Sequence, residues 1–327
     1  MCGPDTNMWF RSGKCRSLAR MVGKTVVITG ANTGIGKETA LDLVGRGARV
    51  VMACRDMEKA KVAVEQVREA VKGVEGAGEV EAVHMDLASF ASVRKCAKQL
   101  LLQEPKIHVL INNAGIMACP RALTEDGLEM QLGVNHLAHF LFTCLLLPRI
   151  RASGPARIIT LSSLVHSSGV IDFDDLNGEK SYSPSYRYSA SKLANVLFVK
   201  ELADRLKAHD INDVTVYAVH PGVVATELSR HLSDALFPGA TFIWDRIMKL
   251  WIKTPVQGAQ TSIYCAVDEE VASQSGLYYS DCHVTEPARR ARNPEVARRL
   301  WEESVRLTGL GDFDPFTAPD TASTVNL

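Results

Sequence analysis

The sequence predicts an α/β fold: a single doubly wound domain with a mainly parallel sheet flanked by helices. Three observations predict it. Val/Ile-rich runs recur along the chain without polar alternation, as strands covered on both faces require. Helical patterns separate them, as the crossovers between parallel strands must. The first run leads directly into a glycine-rich turn, TGANTGIG at 29–36.

The elements follow in order. KTVVIT (24–29) reads as a buried strand. GKETALDLVGRG (36–47) reads as a helix that stops at glycine. ARVVMAC (48–54) is a second strand, followed by a charged helix from Met57 to about Lys72. EVEAVHMD (79–86) is a third strand. SFASVRKCAKQLLLQ (89–103) is a helix with Ser89 as its N-cap. IHVLINNAG (107–115) is a fourth strand. A long helix covers 127–150, and a fifth strand 156–163. Residues 185–209 form another helix, and VTVYAVHPG (214–222) a sixth strand. No internal repeat interrupts this series, and no long linker precedes about residue 310. The basic, polar leader 1–21 is expected to be mobile. The catalytic unit is expected over 22–310, and the Pro-, Thr- and Asp-rich end 311–327 is expected to be disordered.

Composition excludes several classes of function. Thirty-seven basic residues balance 37 acidic ones, so bulk charge gives no footprint for a nucleic acid. Eight cysteines are scattered without a CxxC pair, a pattern of reduced thiols and of neither disulfides nor a zinc site. The leader has no apolar h-region. No run reaches the ~18 apolar residues of a spanning helix. Arg11, Lys14, Arg16, Arg20 and Lys24 allow a peripheral contact with an anionic membrane, against the simpler reading of a solvated tail.

The turn at 29–36 sits between strand and helix. Gly30, Gly34 and Gly36 permit a tight turn, and the helix N-terminus offers N–H donors to a diphosphate. The spacing is GxxxGxG. About 20 residues on, the second strand ends in ACRD. Arg55 stands where a ribose 2′-phosphate needs a partner, with Lys37 beside the turn, and together they favour NADP(H). Asp56 is the competing residue, favouring NAD unless it caps the next helix. Asp86, ending the third strand, is placed to bond the adenine edge. Further on, YSASK puts Tyr188 and Lys192 one helical turn apart on one face. There an ammonium can lower a phenol's pKa from ~10.

TGxxxGxG, NNAG (112–115), Asn135, a serine ending the fifth strand, YxxxK and HPG (220–222) occur in this order. The set resembles the classical short-chain dehydrogenase/reductases, over roughly residues 22–285, and so implies a Rossmann-type domain. TGANTGIGKETA, LINNAGIM, LGVNHLAHFLFT, SKLANVLF, YAVHPGVV and YYSDC are similar to the NADP-dependent retinol dehydrogenases of the 11-to-14 group. The resemblance implies Tyr188 as the general acid or base, and Lys192 as its partner and the holder of the nicotinamide ribose. It implies Ser163 as the donor to the substrate oxygen, with Ser162 the neighbour to be told apart from it, and Asn135 as the holder of a relay water. It places the cofactor against Gly30, Asn32, Thr33, Gly34, Ile35, Gly36 and Lys37 of the turn. Arg55, Asp86, Leu87, Asn113, Ala114 and Gly115 follow, then Tyr188 and Lys192, then Pro221, Gly222, Val224 and Thr226. Asn112 is expected to position backbone.

The activity implied is NADP(H)-dependent hydride transfer to or from a small lipophilic alcohol or aldehyde, retinol and retinal foremost. A broad carbonyl or steroid reductase and a silent NADP-binding scaffold are the competing readings. The resemblance also implies an endoplasmic reticulum membrane association, whereas the polar leader points to the cytoplasm, and it suggests a homodimer through the helices at 127–150 and 185–209. His136 and His139 form HxxH without a third ligand in register, so no metal is expected. The aromatic stretch 235–253, within a substrate lid at about 225–255, carries Phe237, Phe242, Trp244 and Trp251. It reads as the wall of a long apolar pocket or a membrane-touching port, against plain core or a dimer contact.

Overall fold

A computed structural model describes residues 13–224 and 253–321. The strands are Thr25–Thr29 (β1), Arg49–Cys54 (β2), Val80–His84 (β3), Val109–Asn112 (β4), Ala156–Leu161 (β5), Val214–His220 (β6), Leu277–Ser280 (β7) and His283–Val284 (β8). They form one sheet in the order β3-β2-β1-β4-β5-β6-β7-β8. Every pairing is parallel except the last, between β7 and β8. Strands β1, β4 and β6 are buried along their whole length, which is why they read as continuous apolar runs.

Helices cover both faces. Gly34–Gly45 (α1) and Met57–Ala70 (α2) lie on one side. Phe90–Gln103 (α3), Met130–Ala152 (α4) and Pro184–Ala208 (α5) lie on the other. Pro255–Val267 (α6) joins the first layer and Pro294–Leu307 (α7) the second. The strand order turns back between β1 and β4, and the loops at the carboxyl ends of these strands open a crevice, the place where doubly wound sheets bind ligands.

Four elements went unread in the sequence, β7, β8, α6 and α7. The strands are short, at four and two residues. The helices were legible. Thr254 and Gln257 cap each other reciprocally ahead of α6, with Pro255 at its first position. Asn293 accepts from Glu295 N and Val296 N ahead of α7, with Pro294 likewise placed. Both are helix-start signals. Ser89 does occupy the N-cap of α3, but its side chain makes no cap hydrogen bond; Asp126 Oδ2 accepts from Phe90 N instead, at 2.9 Å.

The described parts of the leader and of the C-terminal end make side-chain contacts with the domain. In the leader, Arg46 Nη1 holds the carbonyls of Ser17 and Ala19 (2.8 and 3.0 Å), and Cys15 is buried with its N–H on Gln260 Oε1. At the other end, Phe316 is buried and stacks on His209, while Arg149 binds Asp320 and Arg151 the Pro315 carbonyl. Residues 13–21 and 311–321 thus pack against the domain. The prolines and aspartates there build turns, with Asp314 accepting from Phe316 N and from the Thr317 hydroxyl.

Helix α4 corrects another expectation. It is long and apolar enough to cross a membrane, with a mean hydropathy of 1.3, but it is almost wholly buried inside the protein as a core helix. Its neighbours include the C-terminal helix. Trp301 of α7 lies against Phe140 of α4 and Phe198 of α5, with ring centroids 4.8 and 6.0 Å away. The chain's own C-terminal segment thus packs on α4 and α5.

Candidate active site

The glycine turn is held from below. Gly30 has φ +64°, and a Cβ there would fall 2.8 Å from the Ala114 Cβ, so only glycine fits this crossing of the turn over the β4 loop. Asn113 fastens the two together, its amide donating to the carbonyls of Thr29 and Gly30 (2.8 and 3.2 Å). The Thr29 hydroxyl accepts from Asn113 N and Ala114 N (3.0 and 2.9 Å). Asn112 turns the other way, into the core, where it bonds Thr143 and Thr160. The NNAG string thus suits its polar residues to two jobs. Asn112 ties β4 to its neighbours, and Asn113 ties the crevice floor to the turn.

Asn135 lies where α4 widens into a π turn, Gly133–Leu137, a departure that marks functional stretches of helix. Its side chain is fully buried. Oδ1 accepts from Ile116 N (2.8 Å), and Nδ2 donates to the Ile116 carbonyl and the Ser191 hydroxyl (both 2.9 Å). One amide donor thus goes to the loop after Gly115 and the other to Ser191 of α5, so Asn135 ties that loop to the helix that carries Tyr188. His139 bridges the Asn135 carbonyl (3.1 Å) and the Thr29 hydroxyl (2.9 Å). Thr29 already accepts twice, so its proton goes to His139 Nε2, and His139 Nδ1–H donates to Asn135. Burial pushes its pKa down to about 4, keeping the ring neutral. His136 bonds Ser304 instead (3.0 Å), so the HxxH pair points at two different partners.

Strand alternation separates the two serines. Ser162 is buried and donates to the Lys192 carbonyl (2.8 Å). Ser163 opens the 3-10 turn Leu164–Ser168, its hydroxyl accepting from Val165 N at 3.4 Å, and its side chain is the group that draws the Tyr188 pKa down. Tyr188 and Lys192 sit on α5, both almost fully buried. Lys192 Nζ donates to the Leu161 carbonyl (3.2 Å) and lies 5.8 Å from the Tyr188 ring centroid. The expected lowering of the tyrosine pKa does not occur among the protein's own groups. Burial pushes Tyr188 up to about 12, and Ser163 offsets only part of that. The same burial pushes Lys192 down to about 8. The ammonium is held at the Leu161 carbonyl, over the ring, and desolvation acts on both groups more strongly than their attraction does.

Gly115 faces these residues. A Cβ there would stand 3.2 Å from Asn135 Oδ1 and 3.4 Å from Lys192 Nζ, so the missing side chain leaves a cradle beside the reactive groups. On the far side, Gly258 of α6 lies against both Val224 and Ile35, which brings the loop after β6 to the glycine turn. Lys253 N–H on the Val223 carbonyl (2.8 Å) fixes that loop. Asp56 accepts from Lys59 N (3.0 Å) as the cap of α2, while Arg55 is exposed. Asp86 accepts from Ala88 N (2.9 Å) beside buried Leu87. Thr226, Phe237, Phe242, Trp244 and Trp251 lie outside the described residues.

Residues 24–236 match the family described as short chain dehydrogenase. This chain belongs to the short-chain dehydrogenase family. Human retinol dehydrogenase 11 is 48% identical over 310 residues, covering 95% of this chain and 93% of that protein. Human retinol dehydrogenase 13 is 50% identical over 305 residues, covering 92% and 89%. Among solved structures, an uncharacterized protein from Mycobacterium Paratuberculosis superposes with a TM-score of 0.72 at 35% identity, covering 93% of this chain and all of that one. An NAD(P) dependent gluconate 5-dehydrogenase from Beutenbergia cavernae, with bound NADP, gives a TM-score of 0.60 at 26% identity, covering 80% and 96%. As a short-chain dehydrogenase the chain is an oxidoreductase acting on CH–OH groups.

Proposed function

We propose that this chain uses NADP(H) to interconvert lipophilic alcohols and aldehydes, with retinal reduction its principal reaction. The observation that carries the chemistry is the buried pair Tyr188 and Lys192, with half-buried Ser163 just beyond the end of β5 and Lys192 beside the Gly115 cradle. Bound NADPH would supply the hydride to the carbonyl carbon. Ser163 orients the carbonyl oxygen, and Tyr188 delivers the proton that this oxygen takes up. A phenol with a pKa of about 12 is fully protonated at neutral pH, the state a reductase needs. Lys192 has ammonium donors beyond the one on Leu161, and these would hold the nicotinamide ribose. The glycine turn and the N-terminus of α1 would take the diphosphate. The retinoid class is supported by identities of 48–50% to retinol dehydrogenases across nine-tenths of the chain.

NADP(H) over NAD(H) rests on Arg55. Its competitor Asp56 is already engaged as a helix cap, which leaves Arg55 as the charged group of ACRD open to a 2′-phosphate. Arg55→Ala should weaken NADPH binding about tenfold, the loss of one charge-assisted contact, and leave NADH binding unchanged. Fluorescence titration of both cofactors checks this; equal losses would remove Arg55 from the argument.

The deciding experiment follows NADPH consumption with all-trans-retinal, with NADH in parallel. Turnover with NADPH and little with NADH supports the reading. Tight NADPH binding without retinal turnover would discard the retinoid, and a panel of steroids and lipid aldehydes would then separate a broader reductase from a silent protein.

A further inference from the structure

His166 is buried three residues beyond Ser163, and no part of the proposed chemistry uses it. Both of its ring nitrogens are engaged by main chain. Nε2 lies 3.1 Å from Ala288 N, and Nδ1 lies 2.7 Å from the Ser163 carbonyl. A backbone N–H can only donate, so Nε2 accepts and carries no proton. The proton is then on Nδ1, which donates to Ser163. The tautomer follows from its neighbours, and the ring is neutral.

The surroundings hold this arrangement in place. The His166 main-chain N–H also converges on the Ser163 carbonyl, at 3.1 Å. The ring rests on Tyr278, with centroids 4.9 Å apart. Ala288 leads into the turn Arg289–Arg292, where Arg290 donates to the Gly169 carbonyl at 3.3 Å. Gly169 closes against α5 so tightly that a Cβ would fall 2.5 Å from the Ser189 carbonyl. The segment 163–169 is thus gripped between the helix that carries Tyr188 and the segment that carries Ala288.

We propose that His166 is a positioning residue for the reaction. It fixes the main chain of Ser163 between two backbone partners, so that the serine hydroxyl faces Tyr188 and the substrate oxygen. This rests on the reading of Ser163 and Tyr188 as the reacting pair. A serine on an unanchored 3-10 turn could reach the same position only part of the time, and small misplacements of reacting groups cost large factors in rate.

Amide isosteres separate the two bonds. Asn can present an N–H near the place of Nδ1, and Gln can present an oxygen near that of Nε2. His166→Asn should therefore keep kcat for aldehyde reduction within about threefold of wild type. His166→Gln and His166→Ala should lower kcat roughly 10- to 100-fold, with the NADPH Kd unchanged. In a Ser163→Ala background, His166→Ala should add less than about twofold, because the residue acts through the serine. Equal activities for the Asn and Gln variants would overturn the proposal, as would a full multiplicative loss in the Ser163→Ala background. If His166→Ala fails to fold, the Asn and Gln pair still decides. A Ser163→Ala enzyme as active as wild type would instead sink the site reading itself.

Discussion

Tyr188→Phe is expected to lower kcat for aldehyde reduction by roughly 10²–10⁴-fold and to leave the NADPH Kd within about threefold. The hydroxyl is the group lost, and it is the proton source in this site. Its environment makes it an acid in waiting, since burial holds the phenol at about 12, and the one group that draws it back is Ser163. Phenylalanine fills the same space against the same neighbours, so the cofactor cradle at Gly115 and the glycine turn should be undisturbed. Single-turnover rates with cofactor titrations on the same preparation test both halves. Retained turnover would move the acid elsewhere, and lost cofactor affinity would make Tyr188 a binding residue.

The direction of the reaction has a pH consequence already visible in the two pKa values. Reduction needs Tyr188 protonated and Lys192 charged. The first condition holds up to about pH 12 and the second up to about pH 8. Oxidation needs the phenolate, which these groups alone make scarce at neutral pH.

Much of this was legible in the sequence, and the parts that were not have physical reasons. Buried parallel strands announce themselves because both faces must be apolar; β1 and β6 were read close to their limits, while β4, read as 107–115, spans only Val109–Asn112. Tyr188, Lys192 and the glycine turn are local patterns, so spacing was enough. Ser163 over Ser162 was left to strand alternation, and the bond of Ser162 to the Lys192 carbonyl shows which of them faces inward. His139 and His166 were out of reach of such reasoning. Each works by joining residues from separate elements, Thr29 with Asn135 and Ser163 with Ala288, and no periodicity reports a contact across the fold. The tyrosine pKa went the wrong way because spacing gives proximity but not depth. At this depth desolvation outweighs a neighbouring charge.

The second large effect lies far from the chemistry. Trp301→Ala is expected to destabilise the protein by about 3–5 kcal/mol, the range for emptying a large aromatic from a core. At the usual size scaling this lowers Tm by roughly 5–15 °C. Trp301 is 6% exposed. Its ring meets Phe140, Phe198 and Phe316, and the Arg205 guanidinium lies 4.6 Å from its centroid. One side chain therefore joins α4, α5, α7 and the C-terminal tail. Thermal unfolding measures the cost, and Trp301→Phe should recover part of it. Light scattering at the same concentrations tests what the residue covers. With the C-terminal segment seated, Phe140 and Phe198 are covered. The alanine variant loosens that seat, uncovers Phe140 and Phe198, and should self-associate. A wild-type dimer cross-linked through α4 would show that α7 does not close this face. Such a result would support the homodimer suggested by the sequence resemblance.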